Sequence, residues 1–186
     1  MAEETRQAST YWKVPFEWRD QQLHDRSSDS EEVWTNSESD DRSIEVVAEV
    51  LSATPDASLS AGVEAMGPTG FARHFLAAES SWGMHHHEGW WQLLHLNGTP
   101  VGFVLPGTFD GRTLEGLDEG TIFLMGVRPD WRGQGLGRSL LRQATRTLLA
   151  HGVWKIYCDT ALNNVPMIHL FESEGWKRRP AHERPI

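Results

Sequence analysis

Between Val127 and Gly137 the chain reads Val-Arg-Pro-Asp-Trp-Arg-Gly-Gln-Gly-Leu-Gly, which sets glycines at 133, 135 and 137 between Arg132 and Arg138. The chemistry this pattern suits is the binding of a bulky anion. Glycine has no Cβ, so a backbone rich in it can approach a ligand closely, and the first amides of a following helix have no intrahelical acceptor and can point at a pyrophosphate. The two arginines would add positive charge at the rim. The spacing is neither GxGxxG nor GxxxxGK[ST], which sets aside the dinucleotide and P-loop patterns. The same glycines would also serve a plain tight turn from strand to helix, so this segment alone leaves both readings open.

Such a cradle needs a strand before it and a helix after it. Thr121 to Val127 is apolar on both faces, as a strand in the middle of a covered sheet should be. Leu136, Leu140, Leu141, Ala144, Leu148 and Leu149 fall on one side of a helix running from about Gly135 to His151, with Gly152 placed as its left-handed cap. Upstream, Trp90 to Leu96 and Pro100 to Leu105 flank Asn97-Gly98, a favoured hairpin turn, and Pro106 to Gly120 reads as a glycine-rich excursion. Downstream come a strand, Val153 to Cys158, and a short helix from Val165 to Glu174 that ends at Gly175. Two earlier helices follow from Ile44, Val47, Ala48 and Leu51, entered at Ser39 to Arg42, and from Phe71, His74, Phe75 and Ala78, entered through Gly67 to Gly70. Tyr11 to Trp18 alternates well enough for a strand that Pro15 should confine to an edge or a bulge, and the acidic, serine-rich run 25–43 reads as a solvated loop.

Val-x-Pro-x-x-Arg-Gly-x-Gly-x-Gly after a strand resembles the coenzyme A pyrophosphate loop of the GNAT superfamily of acyl-CoA N-acyltransferases. A second segment, Asn164-Val-Pro-Met-Ile-His-Leu-Phe171-Glu-Ser-Glu-Gly175-Trp176, is similar to that family's Asn-x-x-Ala-Ile-x-Leu-Tyr-x-x-x-Gly-Phe, with Met, Phe and Trp in place of Ala, Tyr and Phe. The resemblance spans roughly residues 90–176. It implies an α/β fold with a mixed, mostly antiparallel sheet splayed between the fourth and fifth family strands. An N-acetyltransferase domain would then cover 44–186, preceded by a poorly matched segment, 1–43. The final family strand would be absent or supplied by another part of the chain.

The same resemblance implies acetyl-CoA as co-substrate and direct transfer of its acetyl group to a primary amine, without a covalent enzyme intermediate. Met125, Gly126 and Val127 would run beside the pantetheine arm. Arg132, Gly133, Gln134, Gly135, Leu136, Gly137 and Arg138 would hold the pyrophosphate. Asn164 would reach the pantetheine amides, unless it simply caps the helix it precedes. Phe171 stands where the family often has a tyrosine that protonates the departing thiolate; it has no proton to give but can pack against the coenzyme arm. For the base, Thr121 occupies the position of a glutamate found in several members, and Glu119, two residues earlier, falls on the same strand face. Other members place a base five residues before the motif asparagine, here Asp159, so Asp159 and Glu119 compete. A non-catalytic acyl-CoA-binding module of the same fold is the alternative, since both the tyrosine and the Thr121-site carboxylate are missing.

Composition narrows the partners. The 186 residues are 39% hydrophobic and 23% charged, ordinary for a globular chain. Seventeen Lys and Arg against 26 Asp and Glu give a net charge of −9, the wrong sign for tracking a nucleic-acid backbone but able to draw in a cationic acceptor. One cysteine, Cys158, closes no intrachain disulfide, no apolar run approaches a membrane span, and the start Met-Ala-Glu-Glu lacks a signal pattern, so a cytoplasmic location is expected. His85-His86-His87 are neighbours that rarely converge on one ion, and no functional metal is expected. His169 reads as a surface or packing residue, while Trp82, Trp90 and Trp91 are candidates for lining an acceptor pocket or for the core. Pairing through a sheet edge would allow a homodimer.

Overall fold

The computed structural model describes residues 10–19, 23, 32–37, 40–77 and 82–185. Strands β1 (Thr10–Trp18) and β2 (Glu32–Asn36) precede three helices, α1 (Asp41–Ser52), α2 (Ala57–Met66) and α3 (Pro68–Ala77). Then come β3 (Met84–His85), β4 (Gln92–Leu96), β5 (Thr99–Leu114), β6 (Leu117–Val127), α4 (Leu136–His151), β7 (Lys155–Ala161), α5 (Val165–Ser173), β8 (Lys177–Arg178) and β9 (His182–Pro185). Among the described residues nine strands form one sheet in the order β2-β4-β5-β6-β7-β1-β8, with β3 on β5 and β9 on β1. The pairings are antiparallel except that of β6 with β7. That exception opens the molecule. β6 and β7 are in register only at Glu119 with Lys155 and Gly120 with Ile156, after which the two strands diverge.

Each face of the sheet has its own core. On one, Leu140, Leu141, Ala144 and Leu148 of α4 and Ile168 and Phe171 of α5 pack against Val14, Phe16, Val104 and Ile156. On the other, Ile44, Val47 and Leu51 of α1 and Phe71 and Phe75 of α3 pack against Leu93, Phe103 and Leu105. Each large apolar side chain so buried stabilises the fold by about 1.5–3 kcal/mol before ordering costs. Asp40 caps α1, its carboxylate accepting the Ser43 amide at 2.7 Å, and Gly152 ends α4 at φ 90°. Leu149 departs from its expected inward place: it is exposed, and Leu148 takes the core position one residue earlier.

Three other expectations change. The stretch Pro106 to Gly120 is no loose excursion but the long end of the β5–β6 hairpin, turning at Glu115-Gly116. Its Gly107 faces β3 so closely that a Cβ would lie 2.9 Å from the His85 carbonyl oxygen, so the glycine there serves strand pairing. Helix α2 is unanticipated because its only large apolar residues are Leu59, Val63 and Met66 and none of its residues is buried; Leu59 and Val63 are partly covered by the α1–α3 core. The strand over Tyr11–Trp18 is real but interior, paired with β7 on one side and with β8 and β9 on the other. Pro15 is tolerated because its carbonyl, and therefore its nitrogen, faces the break between β8 and β9, where Arg179 donates to that carbonyl at 2.8 Å. The N-terminal strand thus fills the place expected of a final strand. The acidic run 25–43 lies outside the described residues except for 32–37 and 40–43, which belong to β2, the turn after it and the start of α1; Ser39 and Ala78 also lie outside them.

Candidate active site

The divergence of β6 from β7 leaves a cleft through the sheet, occupied by two adjoining cavities. The larger, about 570 Å³, is bounded by the end of β6, the loop that follows and the starts of α4 and α5. Met125, Gly126, Val127, Arg132, Gly133, Gly135, Leu136, Gly137, Arg138 and Asn164 line it; Gln134 is exposed and does not. Gly133 and Gly135 have φ of 79° and 82°, a region only glycine enters freely, and a Cβ on either would project into open space. They therefore shape the turn that presents the start of α4. Gly135 is its N-cap and supplies no side chain to cap it, so the helix opens toward the cavity with its first amides uncapped by a side chain and the positive end of its dipole forward. Gly137 is needed for another reason: a Cβ would meet Leu170 of α5 at 3.3 Å.

The arginines of the loop are tethered. Arg132 donates through Nε to the Val127 carbonyl at 3.0 Å and through Nη1 to the Ala53 carbonyl at 3.3 Å, tying the loop to the end of α1. Arg138 is paired with Glu174 at 2.6 Å. Both still edge the cavity, where they add positive charge to the helix terminus. Val50, Thr54 and Pro55, from α1 and the turn after it, and Trp131, from the short 3₁₀ turn after β6, also line the wall without a signal from the motifs, whereas Pro166, Met167 and Leu170 lie within the Asn164 segment.

The smaller cavity, about 210 Å³, lies deeper between the splayed strands and shares Val50, Thr54, Met125, Asn164 and Met167 with the larger. Thr121, Asp159 and Phe171 line it, together with Lys13, Asp56, Phe109 and Tyr157. Asn164 does not cap α5 with its side chain; it donates to Thr160 Oγ1 at 3.1 Å, and it borders both cavities. Phe171 stacks on Phe16 of β1 with ring centroids 4.7 Å apart and also touches Trp176, so its ring is core as well as cavity wall. Glu119 is absent from the lining. It is buried where β6 and β7 are still paired, 2.9 Å from Lys155 Nζ and 3.2 Å from Arg112 Nη1. The structure therefore separates the competing carboxylates: Asp159 reaches the cleft and Glu119 does not.

Asp159 is not alone. Lys13 Nζ, only 12% exposed, lies 2.6 Å from Asp56 and 3.3 Å from Asp159. Burial works against the charge on Lys13, but the hydrogen bond to Asp56 and the fields of Asp159 and Asp56 prevail and raise its pKa. Asp56 mirrors this: burial opposes its charge, and hydrogen bonds from Lys13 and Ser58 hold its carboxyl below the usual range. Burial, and then the nearby Asp159, raise the pKa of Tyr157, so its phenol stays protonated through the neutral range and can donate a hydrogen bond into the cavity. Burial pushes the Cys158 thiol up to about 12, and its sulfur accepts the Ile122 amide at 3.3 Å; it is no nucleophile at neutral pH.

The remaining candidates lie elsewhere. His85 is held by Asp110 and Thr108, His86 stacks on Trp91, and His87 packs on Trp90 and His151, while the rings of His85 and His87 stand edge-on with centroids 6.2 Å apart. His169 is exposed. Trp82, Trp90 and Trp91 line neither cavity; Trp91 is core, and Trp82 lies against Phe75 and Phe123. No helix among the described residues is long and apolar enough to cross a membrane.

Similarity to known proteins agrees with this geometry. The ribosomal protein bS18-alanine N-acetyltransferase of Escherichia coli K12 is 40% identical over 60 residues, which cover 32% of this chain and 40% of that enzyme. The chain thus spans about 40% of the length of the curated relatives it matches. Among solved structures, a GNAT-family acetyltransferase from Colwellia psychrerythraea superposes with a TM-score of 0.62 at 14% identity, over 95% of this chain and 56% of that one. The NatC complex bound to Gag peptide and CoA gives 0.57 at 15% identity, over 84% of this chain and 99% of the matched one. The acetyltransferase (GNAT) family model matches residues 58–176, from α2 through the anion loop to the end of the Asn164 motif. A splayed sheet, a glycine loop opening a helix at the splay and a family match across most of the chain have one reading: the chain belongs to the GNAT family of acetyltransferases.

Proposed function

We propose that the protein transfers an acetyl group from acetyl-CoA directly to a primary amine, the coenzyme lying in the larger cavity and the amine entering the smaller. The observation that carries this reading is the junction of the two cavities at Met125, Asn164 and Met167, which puts the start of α4 and a carboxylate-bearing pocket on either side of one opening in the sheet. The pyrophosphate would meet the α4 amides and Arg138, and the free edge of β6 would run beside the pantetheine arm. Asp159 would accept a proton from the incoming ammonium, directly or through one water, since only the neutral amine attacks. Tyr157 would donate a hydrogen bond where the charge of the tetrahedral oxygen or the departing sulfur develops, a duty Phe171 cannot perform.

Acetylation of a protein N-terminus, as the name of the Escherichia coli relative specifies for that enzyme, is one acceptor class within this reading. The test is calorimetric titration with acetyl-CoA, followed by free-thiol release across amino acids, peptide N-termini, polyamines and aminoglycosides. Saturable binding with amine-dependent release is expected. Binding without release from any acceptor would make the protein an acyl-CoA-binding module, and absence of binding would remove the coenzyme site.

A further inference from the structure

Among the described residues, three charged side chains line the smaller cavity, Lys13, Asp56 and Asp159, and they come from β1, the turn before α2, and β7. Their side chains are 12%, 7% and 25% exposed, and the lysine lies between the carboxylates at 2.6 and 3.3 Å. The cluster therefore carries a net charge of −1 while every charge in it has an opposite neighbour. The rest of the wall is largely apolar, with Leu59, Met84, Phe109 and Phe123 facing in. At about 210 Å³ the space is smaller than the roughly 300–1,000 Å³ of drug-sized sites.

We infer that Lys13, on the N-terminal strand, is a specificity-determining residue of the acceptor site: it cancels one of two carboxylates, so the cavity selects a small, apolar amine bearing one positive charge. An incoming ammonium placed against Asp159 completes a neutral group of four charges. A second cation on the acceptor would have no carboxylate left and would lie near the Lys13 ammonium in a poorly hydrated space, where like charges repel strongly. The motifs give no hint of this, because Lys13 lies outside the matched region and meets Asp159 only through the β1–β7 pairing, in which Lys13 stands opposite Ala161 and Pro15 opposite Asp159.

The inference rests on the acetyltransferase reading, and the experiment keeps the two apart by measuring acetyl-CoA affinity first. Pentylamine and 1,5-diaminopentane match in length and differ by one ammonium. Both are titrated calorimetrically into the CoA-saturated protein and compared by kcat/KM in thiol release. The wild-type protein should prefer pentylamine by about tenfold or more. Lys13→Met, which leaves two carboxylates, should shift the ratio toward the diamine by about tenfold or more, and Lys13→Arg should keep the wild-type ratio. A merely structural lysine would lower stability without changing this ratio. A wild-type preference for the diamine, no measurable pentylamine binding to a protein that binds acetyl-CoA, or an unchanged ratio in a folded Lys13→Met protein overturns the inference. If Lys13→Met does not fold, Asp159→Asn replaces it: a cluster of zero net charge should lose pentylamine affinity about tenfold or more while retaining acetyl-CoA, and retained pentylamine affinity overturns the inference.

Discussion

An amine with a solution pKa near 10 is mostly protonated at neutral pH, so a transferase needs either a base at hand or a basic solution. Asp159 is the residue whose place in the smaller cavity suits that work, and it stands beside a buried ammonium. Lys13 Nζ, 3.3 Å away, fixes the orientation of that carboxylate toward the cleft. Asp159→Asn should lower acceptor-saturated turnover by about 10²-fold or more at pH 7. The loss should shrink toward pH 9, as the free amine supplies its own neutral form, with acetyl-CoA affinity unchanged by calorimetry. Glu119→Gln should behave differently. Its carboxylate is held by Lys155 and Arg112 inside the paired end of β6 and β7, so the amide should lower Tm and leave the shape of the pH–rate profile intact. The sequence names both residues, and only tertiary structure separates them: alternation along β6 puts Glu119 and Thr121 on one face, but the ladder with β7 closes over the first and opens at the second.

At the scale of elements, the turn from β6 into α4 is legible because its requirements are local. A strand, a glycine turn and a helix start are contiguous in the chain, and Gly133, Gly135 and Gly137 each have a reason that backbone geometry or one neighbour supplies. The same held for the Asn97-Gly98 hairpin, where φ of 50° and 76° demand those residue types. What the sequence hid was assembled over distance: α2 has only three large apolar residues, Leu59, Val63 and Met66, none of them buried, and β1 enters the sheet between strands that follow it by more than a hundred residues. Gly135 provides the test at this scale. Because a Cβ there meets nothing within 4 Å, the cost of Gly135→Ala is the left-handed backbone alone, roughly 1–2 kcal/mol. Gly135→Asn, whose residue enters that region more readily, should cost less. Acetyl-CoA affinity should follow the same order, alanine weakening it more than asparagine, because the amides of α4 are aimed by this turn. Equal affinities in wild type and alanine variant, at the reduced stability, would show that the turn does not aim them.

Across the whole molecule, the N-terminal strand joins the stability of the fold to the electrostatics of the cleft. β1 lies between β7 and the short strands β8 and β9, stacks Phe16 on Phe171, and carries Lys13 into the cavity. The Lys13–Asp56 pair thus locks three places in the sequence together: β1, the N-cap of α2 and, through Asp159, the edge of the cleft. Its effect on stability has a definite pH dependence. Asp56 is held below its ordinary 3.8 in the folded protein, so it contributes stability that is present above that value and lost as pH falls through the lower folded pKa. Lys13 is raised above its ordinary 10.5, so its contribution is complete below 10.5 and lost as pH rises through the higher folded value. Between those limits the pair contributes a plateau, and thermal denaturation followed from pH 2 to 12 should show it. Asp56→Asn should lower Tm on the plateau, because it leaves a buried ammonium with one carboxylate fewer while its amide oxygen still caps α2, and should flatten the acid limb. Lys13→Met should lower the plateau and flatten the alkaline limb, leaving much of the acid limb to the remaining carboxylates. Acid and alkaline limbs unchanged in both variants would show that the pair does not couple protonation to the fold, and the N-terminal strand would then be held by its backbone ladder and the burial of Val14, Phe16 and Trp18.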